Sequence, residues 1–329
     1  MVYGFAKNDR LEALQRTSPV ARAVLHGLSQ SPKLLPSWLF YDAQGDRIFQ
    51  SIMQLAEYYP TRCEYEILEL NKKAMSDYFA ADTPFQLVEL GAGDGTKTEI
   101  LLRELTAGGV NFTYVPVDIS ANVLHVLARR LEQSLPGLSI IPVNERNERV
   151  MTHLPEKPQR KVFLFMGANI GNYKPDEAVV FGKKVAAGMN ADDLFMVGFD
   201  LKKHPDIIRA AYDDQQGVTR AFNLNLLTRF NRELGADFNL AQFDHAPVYD
   251  PQSGAAESYL VSRVAQDVTI AAINRTFHFE AWETIHTEVS MKYDEAMIDH
   301  FAALAGLEIV DRFYDRQQYF CDVLFRKVR

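Results

Sequence analysis

The residues with the clearest chemical potential form a glycine-rich turn between a short apolar run and a helical pattern. The run Phe85–Leu90 is followed by Gly91-Ala-Gly-Asp-Gly95, and the helical pattern starts at Glu99. This order predicts a buried strand, a tight loop and a helix N-terminus, the unit with which doubly wound sheets bind nucleotides. Glycine lets the backbone turn sharply and lets a ligand lie directly on it. The alternative for this segment is a structural turn without a ligand.

The spacing of the glycines separates three classes of ligand. A P-loop requires glycine immediately before its lysine, and the dinucleotide fingerprint requires a third glycine three residues after the second. Thr96 occupies both positions, directly before Lys97 and three residues after Gly93. The remaining pattern, Glu-x-Gly-x-Gly-x-Gly after a strand, resembles the S-adenosylmethionine (SAM) loop of class I methyltransferases. That resemblance implies a Rossmann-like fold and SAM as the cofactor.

A second apolar run, Phe112–Asp118, ends in an acid at the distance from the glycine turn that doubly wound nucleotide sites require. A carboxylate at the end of this strand can accept hydrogen bonds from both ribose hydroxyls. We therefore expect Asp118 to bind the ribose of the cofactor. The alternative is that Asp118 only caps the following helix, which begins near Ser120.

Composition narrows the class of protein. The chain has 329 residues, a formal net charge of −8 at pH 7 and two cysteines, Cys63 and Cys321. An acidic balance argues against a nucleic-acid binder, because contacts to phosphates require a basic face. Neither cysteine lies in a C-x-x-C pattern, and no metal site is predicted. Since no signal peptide or long apolar run is apparent, we expect a soluble, cytoplasmic monomer with a small-molecule substrate.

Strand and helix patterns alternate between residues 85 and 200, which predicts an α/β fold with a doubly wound parallel sheet. After Asp200 the pattern changes to a helical stretch over 201–240 and then to a series of β-like runs that ends near Ser290. A helix and a terminal pair of strands then resume the sheet domain. We predict a SAM-binding domain and a smaller α+β substrate-binding or lid domain, at 66–200 with 293–329 and at 1–65 with 201–292.

Two further segments allow two readings each. Residues 31–62 are rich in aromatic side chains, which either fill a core or line a small-molecule pocket. The segment Gly167-Ala-Asn-Ile-Gly-Asn172 follows a buried strand, at the edge of the sheet where α/β enzymes place their sites. Its glycines and asparagines also suit a simple left-handed turn.

A series of motifs in one order resembles the histidine-specific, SAM-dependent Nα-methyltransferases of ergothioneine biosynthesis. The motifs stand at Tyr41–Gly45, Glu57–Arg62, 89–98, Asn169–Asn172, Ala211–Asp214, Gly217–Asn223, Asn231–Phe238 and Thr287–Lys292. The resemblance implies methylation of the α-amino group of a free amino acid, preferably L-histidine, up to the trimethyl betaine. Methylation of another amino acid or of a histidine ring nitrogen, and a regulatory SAM-binding homologue, stay open as alternatives.

The resemblance also implies roles for single residues at the cofactor. Lys97 would face the methionine carboxylate, and Tyr41 would close over the cofactor. Family members usually hold adenine with an acid–aromatic pair after the third strand, where this chain has Asn144-Glu-Arg-Asn147. The implied cofactor set is Tyr41, Gly91, Gly93, Lys97, Asp118, Glu145, Asn147 and Gly167.

For the acceptor, the resemblance implies a second set of residues. Asn172 and Tyr212 would bind the carboxylate, and with Tyr58 they form the catalytic set, although no dedicated general base stands out. The implied acceptor set is Tyr58, Asn172, Tyr212, Thr219, Phe222, Ser258, Glu288 and Ser290.

For two of these positions, the spacing in the sequence itself supports a role. Glu288 and Ser290 are two residues apart on one predicted strand, so they project from the same face and suit a hydrogen-bond donor and acceptor on an imidazole. Without the resemblance, Glu288 reads as an exposed strand residue. Histidine-selective members carry methionine where Ser258 stands, which changes the acceptor pocket.

Overall fold

The computed structural model describes residues 18–80, 83–146, 149–150 and 159–328. Its helices include α1 (Pro19–Leu28), α2 (Ala43–Ile52), α3 (Tyr59–Phe79), α4 (Glu99–Ala107), α5 (Ala121–Ser134), α6 (Pro175–Gly188), α7 (Pro205–Tyr212), α8 (Val218–Leu234) and α9 (Glu295–Ala305). Within the described residues, no helix is long and apolar enough to span a bilayer.

Within the described parts of the chain, the strands form two larger sheets and a hairpin. They are β1 (Lys33–Leu34), β2 (Phe85–Leu90), β3 (Phe112–Asp118), β4 (Ser139–Ile140), β5 (Val143–Asn144), β6 (Arg160–Phe165), β7 (Leu194–Asp200), β8 (Phe243–Asp250), β9 (Ala255–Ser262), β10 (Gln266–Ile270), β11 (Arg275–Phe279), β12 (Thr284–Met291), β13 (Leu307–Tyr314) and β14 (Phe320–Lys327).

The main sheet has the order β13-β14-β7-β6-β2-β3-β4, and β5 also pairs with β3. The strands from β7 to β4 pair in parallel, whereas β14 is antiparallel to both β7 and β13. Strands β2 and β7 are buried along their whole length, as expected when helices cover both faces of a parallel sheet. This confirms the predicted doubly wound α/β fold.

Several predicted elements need correction. The apolar run 138–143, whose pattern predicts one strand, forms two short pieces, β4 and β5, because Pro142 between them has no N–H for the ladder. The predicted helical stretch over 201–240 is divided into α7 and α8 by a turn that ends at Gly217, whose φ is +71°. Helix α6 and strand β8 were not predicted from the sequence.

The chain divides into two compact units. The larger contains 53–211, 249–256 and the chain from Val289 onward; the smaller contains the segment ending at Ile52 together with 212–248 and 257–288. The predicted domain boundaries at 65/66, 200/201 and 292/293 therefore differ from these divisions and stay a prediction. The first of them falls inside α3, which begins at Tyr59 with Pro60 in its first turn, where a missing N–H does no harm.

Each unit has its own core. In the larger unit, Phe163, Val197 and Phe199 of the sheet are fully buried in one cluster with Ile298 and Phe301 of α9. The smaller unit contains the β10–β11 hairpin and strands of the sheet β1-β12-β9-β8. Its aromatic core includes the rings of Phe230, Phe238, Phe243 and Phe279.

Candidate active site

The cofactor loop runs from Gly91, after β2, to Thr98, before α4. Asp118, at the end of β3, fixes this loop by accepting hydrogen bonds from the N–H groups of Gly93 at 3.0 Å and of Ser120 at 2.9 Å. The helix after β3 is capped by Ser120, whose hydroxyl accepts the N–H of Val123 at 3.3 Å, so Asp118 holds the turn before the helix and does not cap it. Burial raises the pKa of Asp118 above its usual value. Each carboxylate oxygen has a further lone pair, so the same side chain can also accept ribose hydroxyls.

Two glycines of the loop differ in the room around them. Gly93 and Gly95 have φ values of +54° and +65°. A Cβ at Gly95 would lie 2.7 Å from Leu127 Cδ1, whereas a Cβ at Gly93 would meet no heavy atom within 4 Å. The backbone at Gly93 is thus open to a ligand such as SAM, and Gly95 packs against α5.

This difference gives a matched pair of variants. We expect Gly95→Ala to lower the free energy of unfolding by about 2–4 kcal/mol, from backbone strain plus overlap with Leu127. Gly93→Ala should lower it by only about 1–2 kcal/mol, from strain alone. Urea denaturation of both variants measures the difference. Equal losses would show that the contact between Gly95 and Leu127 has no energetic weight.

Glu89 is hydrogen-bonded both to the end of the cofactor loop and to the neighbouring strand β3. It is buried in β2 and accepts hydrogen bonds from the hydroxyl of Thr98, at 2.5 Å, and from that of Tyr114 in β3. Burial raises the pKa of Glu89 to about 7. The carboxyl therefore keeps its proton in the folded protein at pH values where an exposed glutamate has lost it.

The raised pKa predicts a pH dependence of stability. Between the usual pKa of 4.5 and about 7, folded Glu89 binds more proton than unfolded Glu89 does. The free energy of unfolding should therefore fall as pH rises through this window, by up to roughly 1.4 kcal/mol per pH unit. Glu89→Gln should remove this contribution, whereas Glu132→Gln, at an exposed position of α5, should leave the slope unchanged. Urea denaturation of wild type and both variants at pH 5 and pH 7 measures this change in the free energy of unfolding with pH. If Glu89→Gln showed the same change as wild type, the prediction would be wrong.

Lys97 lies in a buried charged cluster of the larger unit. Its ammonium pairs with Glu64 of α3, and the other carboxylate oxygen of Glu64 accepts the N–H of Gly167 at 2.7 Å. Burial alone would lower the pKa of Lys97, but the charge of Glu64 holds it above its usual value. Burial and Glu64 raise the pKa of the neighbouring Asp322. Glu64 thus connects two predicted cofactor residues, a role that the sequence did not reveal.

The remaining predicted cofactor residues lie elsewhere. Tyr41, in the smaller unit, is half-buried with its ring centroid 5.8 Å from that of Phe49. Glu145 is half-buried, and its N–H donates to the carbonyl of Asp118 at 3.2 Å, which places it beside the predicted ribose site. Asn147 lies outside the described residues.

In the larger unit, the turn that carries the predicted acceptor residue Asn172 lies against the part of β12 that carries Ser290. Asn172 ends a 3₁₀ turn that begins at Asn169, and Ser290 is buried near the end of β12. A Cβ on Gly171 would lie 3.4 Å from Ser290 Oγ and 3.0 Å from the carbonyl of Met291. The turn therefore approaches β12 as closely as a glycine allows. Tyr58 is half-buried immediately before α3.

In the smaller unit, Asp214 positions the start of α8 by accepting the N–H groups of Val218 at 2.9 Å and of Thr219 at 2.7 Å. Phe222, one turn later, stacks on Phe40 with ring centroids 4.5 Å apart and is only 3% exposed. The burial of Phe40 favours the interpretation that aromatic side chains of residues 31–62 fill a core. Tyr212 is half-buried at the end of α7.

Two strand positions complete the predicted acceptor set. Ser258 is buried, and its hydroxyl lies 3.3 Å from Nε2 of His245. Burial lowers the pKa of His245 to about 4, so its imidazole is neutral near pH 7. Glu288 is half-buried in β12, not an exposed strand residue. Among the described residues, no cluster of three or more potential metal ligands is found.

The sequence also missed a buried ion cluster around Asp200 in the larger unit. Lys292 and Lys203 both bind this carboxylate, at 2.7 Å and 2.6 Å, and the hydroxyl of Tyr59 donates to it at 2.9 Å. In the sequence, this cluster was signalled by Lys292, the last residue of the Thr287–Lys292 motif. No pattern in the sequence connects it with Asp200.

Comparison with known proteins finds a family model and several relatives that match most of this chain. A family model described as "Histidine-specific methyltransferase, SAM-dependent" matches residues 20–327. A histidine N-alpha-methyltransferase of Mycobacterium tuberculosis is 37% identical over 87% of this chain and 88% of that protein. One of Mycolicibacterium smegmatis is 36% identical over 92% of this chain and 91% of that protein. Ergothioneine biosynthesis protein 1 of Schizosaccharomyces pombe is 26% identical over 85% of this chain and 37% of that protein.

Proposed function

This chain belongs to the family of histidine-specific, SAM-dependent methyltransferases, and from that premise we propose that it methylates the α-amino nitrogen of L-histidine. The family match, which runs from residue 20 to residue 327, is the observation that carries the proposal. The finer part of the proposal is that transfer continues to the trimethyl betaine.

The chain is a SAM-dependent methyltransferase. When bound, SAM supplies an electrophilic methyl group at its sulfonium. We propose that the backbone at Gly91 and Gly93 lies against the cofactor and that Asp118 accepts its ribose hydroxyls. Lys97 is the proposed partner of the methionine carboxylate. Its ammonium has three N–H donors, so it can keep its pair with Glu64 while donating to a second carboxylate.

Methyl transfer from a sulfonium is an in-line displacement, so the protein acts mainly by aligning a neutral amine with the methyl carbon. An α-amino group is largely protonated at neutral pH and must first lose a proton. We propose that Asn172 and Tyr212 hold the acceptor's carboxylate through neutral donors and that Tyr58 meets its side chain. Neutral donors bind a carboxylate without placing a competing positive charge beside the sulfonium. Thr219 and Phe222 are proposed to line the acceptor site.

One observation favours a second candidate acceptor. Where histidine-selective relatives are expected to carry methionine, this chain places the buried Ser258 beside the half-buried, neutral His245. Buried polar groups favour a partner that satisfies their hydrogen bonds. The second candidate is therefore methylation of a different amino acid or of a histidine ring nitrogen.

A mass-spectrometric screen separates the two candidates. Purified protein is incubated with SAM and each proteinogenic amino acid in turn, and products are read by mass and by fragmentation. We expect successive methyl additions on the α-nitrogen of histidine alone. Methylation of another amino acid, or of the ring, would replace the first candidate by the second. Absence of any product, while SAM binds, would contradict both.

A further inference from the structure

Lys292 is a buried cation in direct contact with a predicted acceptor residue. Its side chain is 0% exposed. The ammonium lies 2.7 Å from Asp200 Oδ2 and donates to Ser290 Oγ at 2.9 Å. Lysine is seldom fully buried unless it is paired, and here the pairing extends to a hydroxyl that the family resemblance implies at the acceptor.

The backbone holds Lys292 in place on both sides. Its N–H donates to the carbonyl of Gly254 at 2.7 Å, and the N–H of Tyr293 donates to the carbonyl of Asp200 at 2.8 Å. A Cβ on Gly254 would lie 2.3 Å from the carbonyl oxygen of Lys292, so the two segments are packed to contact. The backbone from which the Lys292 side chain starts is therefore held on both sides by hydrogen bonds and close packing.

Asp200 has a second buried cation beside it, Lys203. Lys203 binds the other oxygen of Asp200 and also lies over the rings of Tyr59 and Tyr319, 4.1 Å and 5.3 Å from their centroids. Although burial favours the neutral acid, the two lysines hold the pKa of Asp200 below its usual value. Without Lys292, Asp200 would still have a cation and a hydroxyl donor.

The contact with Ser290 has a direction. An ammonium can only donate, so Ser290 Oγ accepts in this contact. A hydroxyl that accepts from a charged donor is polarised and becomes a stronger donor itself. The natural partner for such a donor is an acceptor nitrogen, and a neutral imidazole has one acceptor nitrogen and one N–H.

We propose that Lys292 is a positioning residue that sets Ser290 as the hydrogen-bond donor to the acceptor nitrogen of a neutral histidine imidazole. The inference rests on the proposed function, because it requires an imidazole acceptor at Ser290. It adds a residue that determines which protonation state of the side chain is recognised, acting through Ser290 rather than by touching the acceptor.

A double-mutant cycle tests the inference. Steady-state kinetics with histidine and SAM are compared for wild type, Lys292→Met, Ser290→Ala and the double variant, with Lys203→Met as the matched control. Lys203→Met removes the other cation bound to Asp200, and none of the contacts described above joins Lys203 to Ser290. We expect Lys292→Met to raise KM for histidine by about 5- to 30-fold, with kcat and the SAM affinity changed by less than about twofold.

The cycle gives the decisive readout. If Lys292 acts through Ser290, Lys292→Met should add nothing to Ser290→Ala, whereas Lys203→Met should leave KM for histidine near that of wild type. Full additivity, or an equal rise in KM for both lysine variants, would overturn the inference. Lys292→Gln, which keeps an N–H donor, should recover part of the lost affinity and serves if Lys292→Met does not fold.

The same measurements separate this inference from the proposed function. A wild-type protein that does not use histidine overturns the proposed function, and the inference falls with it. A wild-type protein that uses histidine, combined with additive losses in the cycle, overturns only the role of Lys292.

Discussion

Replacing Asp118 with alanine should weaken SAM binding by roughly 10- to 150-fold, which corresponds to about 1.5–3 kcal/mol. This is the range for hydrogen bonds to a charged group, which the ribose hydroxyls would form with this carboxylate. The structure adds a second reason, since Asp118 also accepts the N–H of Gly93 and so shapes the cofactor loop. Asp118→Asn, which keeps one oxygen acceptor, should fall between wild type and alanine. Isothermal titration calorimetry with SAM measures all three.

Asp94 provides the control for this experiment. It lies in the same loop, and its carboxylate accepts the N–H of Thr96 at 3.0 Å. Asp94→Ala thus also removes a loop carboxylate and a loop hydrogen bond, but not one at the end of β3. Unchanged SAM affinity in Asp118→Ala would remove Asp118 from the cofactor site. Equal losses in Asp118→Ala and Asp94→Ala would assign the effect to loop structure.

Glu288→Ala should lower kcat/KM for histidine by roughly 10- to 150-fold, because a half-buried carboxylate that accepts an imidazole N–H forms a charge-assisted bond. Turnover of acceptors that lack an imidazole should change far less. Glu288→Gln keeps an acceptor oxygen without the charge and should give an intermediate loss. The measurement is initial rate against histidine concentration at saturating SAM.

Thr284, on the same face of β12, is the matched position for this test. Thr284→Ala should leave kcat/KM for histidine close to the wild-type value. If Glu288→Ala reduced turnover of histidine and of other amino acids by the same factor, Glu288 would be a structural residue of the strand. Circular dichroism of each variant shows whether the fold is retained.

The sequence predicted the sheet well where burial imposes a simple pattern. Strands β2 and β3 were placed at their observed bounds because their apolar runs end at a glycine turn and at an acid. Strand β8 was missed because its burial is mostly intermediate and its alternation is weak. Proline explains the division of β4 from β5, a local effect that the apolar run around it concealed.

The site was predicted less evenly, for a physical reason. Gly93 and Asp118 could be proposed as cofactor residues from the sequence alone, because their chemistry is local to one loop and one strand end, and their roles stay predictions. Glu64 and Lys292 were not assigned roles, because each gains its meaning from partners far away in the chain. Glu64 meets Lys97 and Gly167, and Lys292 meets Asp200. A buried charge is recognisable only once the partner that offsets its desolvation is known. The roles of Tyr41, Tyr212, Thr219 and Phe222 come from the family resemblance and stay predictions.

The position of β14 has a consequence for how the protein is made. This strand lies between β7 and β13, so β7 has only one hydrogen-bonded neighbour until Phe320–Lys327 has left the ribosome. At about 5–20 residues per second, the stretch from Asp200 to Phe320 takes on the order of 6–24 s to synthesise. For that time the nascent chain presents an apolar, unpaired strand edge, the kind of surface on which chains aggregate. The folding of the larger unit therefore finishes late, and a nascent chain stalled before β14 is a natural substrate for chaperones.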